Sequence, residues 1–214
     1  HRIEYVTPTK GTVGTRVTVF GDGYKAFDYI RIHFGSVNSI TTTSTNENGS
    51  FTAQFTVDSQ PYGSTTVMAV DVETAYAQFF ILPEIISVSH ETGTVGTIVT
   101  LLGSGYGSSE YVQIDFGVTQ TITTVKTNID GTWTISFTVD TQRYGTTTIT
   151  ATGLISQASS TNYFRLTPEL VSVTPQTGTV GTVVTIHGTG FVGTEQVYIN
   201  FGRTQTITTV VSEL

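Results

Sequence analysis

Cysteine is absent from the chain, and charge is scarce: 12% of its 214 residues are Asp, Glu, Lys or Arg. Without cysteine no disulfide staples the fold, which leaves the compartment open, since extracellular proteins can do without disulfides. Ordinary soluble proteins carry about a quarter charged residues, so this surface is unusually neutral. Nine Lys and Arg stand against sixteen Asp and Glu, for a formal net charge of −7. Nucleic-acid binding needs a basic stripe, so no nucleic-acid partner is expected. No run of ~18 apolar residues forms a transmembrane segment, and no signal peptide opens the chain. No long alanine-, leucine- or glutamate-rich helical stretch appears, and proline is limited to five. His1 is not an initiator methionine, so the expectation is a chain processed, expressed as a piece, or part of something longer.

What is present is repetition. Gly11-Thr-Val-Gly-Thr15 recurs letter for letter at Gly93–Thr97 and Gly178–Thr182, at offsets of 93 − 11 = 82 and 178 − 93 = 85 residues. Phe34-Gly35 returns as Phe116-Gly117 and Phe201-Gly202, Tyr62-Gly63 as Tyr144-Gly145, and Asn48-Gly49 as Asp130-Gly131. A period near 80 residues is too long for a solenoid coil and suits a whole small β domain. Threonine supplies about one residue in five, and this stiff β-branched side chain favours strand.

Strand signals recur with the period. Phe51, Ala53, Phe55 and Val57 alternate with polar residues, as do Trp133, Ile135, Phe137 and Val139, the mark of a half-buried strand. The preceding Asn48-Gly49 and Asp130-Gly131 suit a tight hairpin. Further strands are expected at Ile3–Val6, Val17–Val19, Ile30–Phe34, Thr65–Val70 and Ala77–Ile81, with counterparts in the later copies. About seven short strands per unit predict an all-β chain of tandem immunoglobulin-like sandwiches. The units are 1–82, 83–167 and 168–214, joined at Pro83-Glu84 and Pro168-Glu169 by linkers too short for free rotation. Unit two is three residues longer, in the loop around Gly153–Thr161.

Leu214 aligns with Ile129, so unit three has no counterpart of the last three strands. A half-sandwich exposes apolar faces and an unpaired edge. Either the natural chain continues past Leu214, or another subunit supplies the strands by β-augmentation, as in some pili.

The run Val173-Thr-Pro175…Gly178-Thr-Val-Gly-Thr182-Val-Val-Thr-Ile186-His-Gly188-Thr-Gly190-Phe191 resembles the opening of IPT/TIG domains. Unit one matches through Pro8, Gly11, Gly14, Thr15, Val17, Val19, Gly21, Gly23 and Tyr24. Unit two matches from Gly93 to Tyr106, with His90 where the proline falls. The resemblance implies immunoglobulin-like sandwiches. Such domains occur in DNA-binding transcription factors, receptor ectodomains, starch-acting enzymes and long microbial surface proteins. Tandem, threonine-rich, cysteine-free copies look most like the last group. Independently of the family, Gly21/Gly23, Gly103/Gly105 and Gly188/Gly190 bracket a strand end, where a bulge or positive φ suits glycine.

No catalytic, cofactor or metal set emerges, and an enzyme is not expected. His33 aligns with Asp115 and Asn200, His187 with Phe20 and Leu102, and His90 with Pro8, so the histidines form no constellation. One glutamate per joint, Glu84 or Glu169, falls short of the six to eight oxygens that Ca²⁺ takes. Gly-Thr-Val-Gly-Thr lacks the lysine and helix of a phosphate loop. Lys10, Lys25 and Lys126 do not align, which argues against a repeated Lys–Asn crosslink. Asn48-Gly-Ser50 fits the N-glycosylation pattern, making Asn48 a candidate acceptor. Tyr24, Tyr29, Tyr62, Tyr106, Tyr111 and Tyr144 recur at loops and strand ends and could stack on glycans. The plainer reading of Tyr62 and Tyr144 is a tyrosine anchoring its own corner. The sequence therefore predicts an extracellular or cell-surface structural repeat that forms a stalk, fibre or surface layer with copies of itself. The alternative is an adhesin or carbohydrate-binding repeat of a larger surface protein or enzyme.

Overall fold

The computed structural model describes residues 1–213. Unit one contains β1 (Arg2–Thr7), β2 (Lys10–Gly11), β3 (Arg16–Asp22), β4 (Tyr29–Phe34), β5 (Val37–Ser44), β6 (Phe51–Thr56), β7 (Gly63–Val70) and β8 (Thr74–Ile81). Strand β3 bonds β1 and β6 on its two sides, both antiparallel. The facing sheet has the order β2-β8-β7-β4-β5, and its edge pair β2–β8 is parallel. Unit two repeats this plan with β9 (Glu84–Val88), β10 (Thr92–Gly93), β11 (Ile98–Ser104), β12 (Tyr111–Phe116), β13 (Thr119–Lys126), β14 (Trp133–Thr138), β15 (Gly145–Gly153) and β16 (Ser159–Leu166). Among the described residues no helix is long and apolar enough to cross a membrane.

Period-two patterning becomes packing directly. Phe51, Ala53 and Phe55 on β6 face inward and the residues between them face water. They close on Val17, Val19, Ile30, Ile32 and Phe34, all fully buried. Each such side chain contributes roughly 1.5–3 kcal/mol relative to exposure. Phe34 meets Phe55 and Phe79 at ring-centroid distances of 5.0 and 5.7 Å. The equivalent Phe116 meets Phe137 and Phe164 at 5.2 and 5.8 Å, so the aromatic centre is copied with the strands.

The copies differ at one buried hydroxyl. Tyr106 Oη lies 2.7 Å from Ser160 Oγ. In unit one the register puts Ala75 where unit two has Ser160, and Tyr24 Oη is buried without a partner. Burial pushes both phenols up to about 12, Asp71 and Asp22 adding to the rise at Tyr24 and Glu110 at Tyr106, where the Ser160 bond opposes it. Ala75→Ser is expected to stabilise unit one by about 1 kcal/mol by satisfying that oxygen, read as a raised denaturation midpoint.

Asn48-Gly49 is not a hairpin turn. Strands β5 and β6 belong to different sheets, so the segment arches across the sandwich. The Asn46 side chain holds the arch by accepting from the Asn48 and Ser50 backbone N–H groups at 2.9 and 3.0 Å. Asn48 itself is exposed. The paired glycines also divide their labour: Gly105 has φ +71°, whereas a Cβ on Gly103 would sit 2.3 Å from the Trp133 ring. The first glycine of that pair makes room for an indole; only the second needs left-handed backbone.

Unit three contains β17 (Glu169–Thr174), β18 (Thr185–Thr189), β19 (Gln196–Phe201) and β20 (Thr204–Val211), arranged as two antiparallel pairs. Among the described residues unit three has no counterparts of β10, β14, β15 and β16. Phe201 is 70% exposed and Val184 42%, while their equivalents Phe116 and Val99 are at 0%.

Candidate functional site: the joint between units

The linkers are woven into both neighbours. Leu82 N–H donates to Gly11 O at 2.9 Å in unit one, while Glu84 already pairs with Ser104 in unit two. Only Pro83 stands between. At the second joint Thr167 N–H donates to Gly93 O at 2.8 Å and Glu169 pairs with Thr189, leaving Pro168. The linkers cross the second glycine of the later two pairs: a Cβ on Gly105 would lie 2.3 Å from Leu82 O, and one on Gly190 2.9 Å from Thr167 O. Pro83 and Pro168 each precede a strand, and Glu84 and Glu169 are the first residues of β9 and β17. Among the described residues no three His, Cys, Asp or Glu side chains cluster in a metal-holding arrangement.

A second strut is supplied by residues whose role the sequence did not reveal. Tyr62 does not anchor a corner of its own unit alone; its ring meets Phe80 edge-on at 5.3 Å and packs against the core of unit two. Its backbone N–H donates to Tyr106 O across the joint at 2.9 Å. Tyr144 N–H reaches Phe191 O in the same way at 3.4 Å. Arg165 replaces Phe80 in the register and donates to Tyr144 Oη at 3.2 Å, so a hydrogen bond from a charged donor stands in for an aromatic contact. The reason is position: the loop before β7 lies at the end of the sandwich from which the chain exits. The repeated Tyr-Gly was the available signal, but nothing in it names the partner 44 residues on.

Gly131 completes the first joint. It has φ +72°, and a Cβ there would lie 2.1 Å from Tyr106 O and 3.1 Å from Pro61 Cα of unit one. Nearby, burial raises the Asp58 carboxyl above the ordinary aspartate range; Asp130 of unit two adds to this, against a bond from Gln60 at 3.2 Å. Between the units runs an open groove of about 780 Å³, with Gln60, Met68, Tyr76, Gln78 and Asp130 along it.

The histidines are local. His33 contacts Asn38 at 3.1 Å. Its equivalents Asp115 and Asn200 accept the N–H of Thr121 and Thr206 at 2.8 and 2.7 Å, pinning bulges of positive φ. His90 lies by Ser89, and His1 contacts Asp71 and Glu73. Gly11 ends β2, and Thr12–Thr15 is a turn closed by Thr15 N–H to Thr12 O at 3.1 Å.

Unit two has one further element, Glu110. Its carboxylate is 2% exposed and accepts from the N–H groups of Gly107, Ile155 and Ser156 and from Ser156 Oγ. Its own N–H is held by Thr127 Oγ1 at 2.9 Å. The longer hairpin of unit two wraps this carboxylate, since β15 ends at Gly153 and β16 starts at Ser159, against Val70 and Thr74 in unit one.

The family comparison falls on unit three. Residues 168–213 match the IPT/TIG domain. The match covers the signature from Val173 to Phe191, and the same glycines and threonines recur in units one and two. No curated protein matches the chain. Among solved structures, the Yersinia pseudotuberculosis adhesin InvE is similar at 11% identity and TM-score 0.31, over 75% of this chain and 57% of its own. A Bacteroides ovatus protein, SGBP-B of a mixed-linkage glucan utilization locus, solved with a mixed-linkage heptasaccharide, is similar at 13% identity and TM-score 0.32, over 80% of this chain and 47% of its own. The ICAM-5 D1–D4 ectodomain fragment is similar at 13% identity and TM-score 0.32, over 99% of this chain and 68% of its own. The chain thus spans little more than half of the adhesin chain it matches.

Proposed function

We propose that the chain is a stretch of a non-catalytic extracellular or cell-surface array, in which immunoglobulin-like units form a stalk, fibre or surface layer with copies of the same protein. The observation that carries the reading is the repeated strut: Tyr62 N–H to Tyr106 O, and Tyr144 N–H to Phe191 O. With a single linker proline beside it, the strut ties each unit to the next at two places, which limits hinge motion between them. Such a construction sets the pitch of an array and leaves neutral, threonine-rich faces free for neighbours. Negative-stain microscopy of the native material tests the reading: ordered filaments or sheets are expected, and dispersed monomers at all concentrations would overturn it.

The inter-unit groove favours a second reading, glycan binding. Tyr76, 65% exposed, offers a ring face on the groove that the exposed amide of Gln78 also lines, the pairing of stacking and hydrogen bonding that sugars accept. Retention on a glycan array that Tyr76→Ala abolishes would support it.

A further inference from the structure

A polar cluster in unit two brings a hydroxyl, a carboxamide and a carboxylate into mutual contact. Thr119 opens β13, the edge strand of one sheet, while Asp140 and Gln142 follow β14, the edge strand of the other. Gln142 is buried, and its Nε2 lies 3.1 Å from Thr119 Oγ1. The Thr119 hydroxyl donates to Asp140 Oδ2. Gln142 Nε2 donates to the other oxygen of the same carboxylate at 2.9 Å, and to Phe116 O at 3.3 Å. Val118 N–H donates to Gln142 Oε1 at 3.3 Å.

Each of these contacts matches a part in acyl transfer. A carboxylate that accepts from a hydroxyl is placed to act as its general base. An N–H directed at a carbonyl oxygen steadies the charge that gathers there when the carbon is attacked. The base also touches the nitrogen that would depart. Room for the amide is reserved by Gly117, where a Cβ would lie 2.4 Å from Gln142 Oε1.

Unit one keeps the amide but not the arrangement. A Cβ on Gly35 would likewise lie 2.4 Å from Gln60 Oε1. Gln60 Nε2 donates to Ser36 Oγ at 3.2 Å and to the Asp58 oxygens at 3.2 and 3.3 Å. The position of Thr119 is taken by Val37, and the only hydroxyl at hand is that of Ser36, one residue earlier. Asp58 accepts from Gln60 alone, so no base holds the hydroxyl.

We propose that Thr119 and Gln142 join in an intramolecular ester. Thr119 Oγ1 attacks Gln142 Cδ and its proton passes to Asp140, while the charge of the tetrahedral intermediate rests on Oε1 beside Val118 N–H. Collapse breaks the Cδ–Nε2 bond, and the nitrogen takes the proton from Asp140 and leaves as ammonia. One C–O bond replaces one C–N bond, no electrons are exchanged, and Asp140 ends ionised as it began. The product ties the two sheets together covalently in a chain that has no cysteine to do so.

Intact-mass spectrometry of the folded chain, held at neutral pH, tests the ester. Wild type is expected to be lighter than its sequence by one ammonia, with tandem spectra joining the Thr119 and Gln142 peptides and hydroxylamine separating them. Thr119→Ala and Asp140→Asn should keep the full mass, whereas Thr119→Ser retains the hydroxyl and should still lose ammonia. Fluorescence of Trp133, in the core of unit two, reports whether each variant is folded. Should Asp140→Asn fail to fold, the wild-type peptide map decides alone. Folded wild type at full mass would overturn the proposal, and so would an ammonia lost elsewhere, as from Asn48-Gly49, with Thr119 and Gln142 unlinked.

Discussion

Glu110→Ala is expected to destabilise unit two by about 2–3 kcal/mol, because three part-buried backbone N–H groups and a serine hydroxyl lose their charged acceptor together. The chain provides its own reporter, since its single tryptophan, Trp133, lies in the core of this unit. Denaturation followed by tryptophan fluorescence should therefore move to lower denaturant, while the unit-one transition seen by calorimetry stays in place. Burial by itself would raise the Glu110 carboxyl, but the Ser156 hydroxyl and the N–H groups of Ser156, Ile155 and Gly107 outweigh it and hold it below the ordinary glutamate range. A depressed folded-state value means the stabilisation is present above the unfolded glutamate value, near pH 4.3, and is lost as pH falls through the folded one. The gap between wild type and Glu110→Ala should accordingly narrow on acidification. A gap constant from neutral pH to strong acid would show that the carboxylate charge is not what the hairpin grips.

Gly131→Ala should cost unit two about 3 kcal/mol or more and loosen the first joint. The substitution forces a left-handed backbone on alanine and drives Cβ into Tyr106 O, the atom that receives the Tyr62 N–H. Gly49→Ala is the internal control. There the same clash falls on Tyr24 O, and no neighbouring unit appears among the atoms a Cβ would meet. Both variants should lose stability in their own units, but only Gly131→Ala should reduce the correlated tumbling of units one and two in NMR relaxation. Equal effects on inter-unit motion would remove the Tyr62 strut from the account of the joint.

Much of this architecture was legible in the chain because it was written more than once. The alternation from Phe51 to Val57, repeated from Trp133 to Val139, identifies a strand whose inward face is the one observed. The IPT/TIG signature read in unit three is the part that the family match confirms. What escaped reading depends on partners far along the sequence. Strand β5 pairs only on one side and carries Val-Asn-Ser-Ile-Thr-Thr-Thr-Ser, so it shows no clean apolar alternation. Asn48-Gly49 reads as a hairpin because the local dipeptide says nothing about which sheet its flanking strands join. Glu110 carries no local signal, since its hairpin partners lie 45 and 46 residues away. Tyr62 was assigned to its own corner for the same reason: a backbone N–H that crosses to another unit leaves no mark on the side chains around it.

The parallel edge pair has a consequence for tension along the chain. Once a pull has passed β1 and reached Lys10, and with its other end leaving through Ile81, it drags β2 and β8 in opposite directions along their common axis. The bonds Phe80 N–H to Thr9 O and Leu82 N–H to Gly11 O, both 2.9 Å, are then strained side by side in shear instead of being peeled in turn. Unit two carries the same clasp at Arg165 and Thr167, both 2.8 Å.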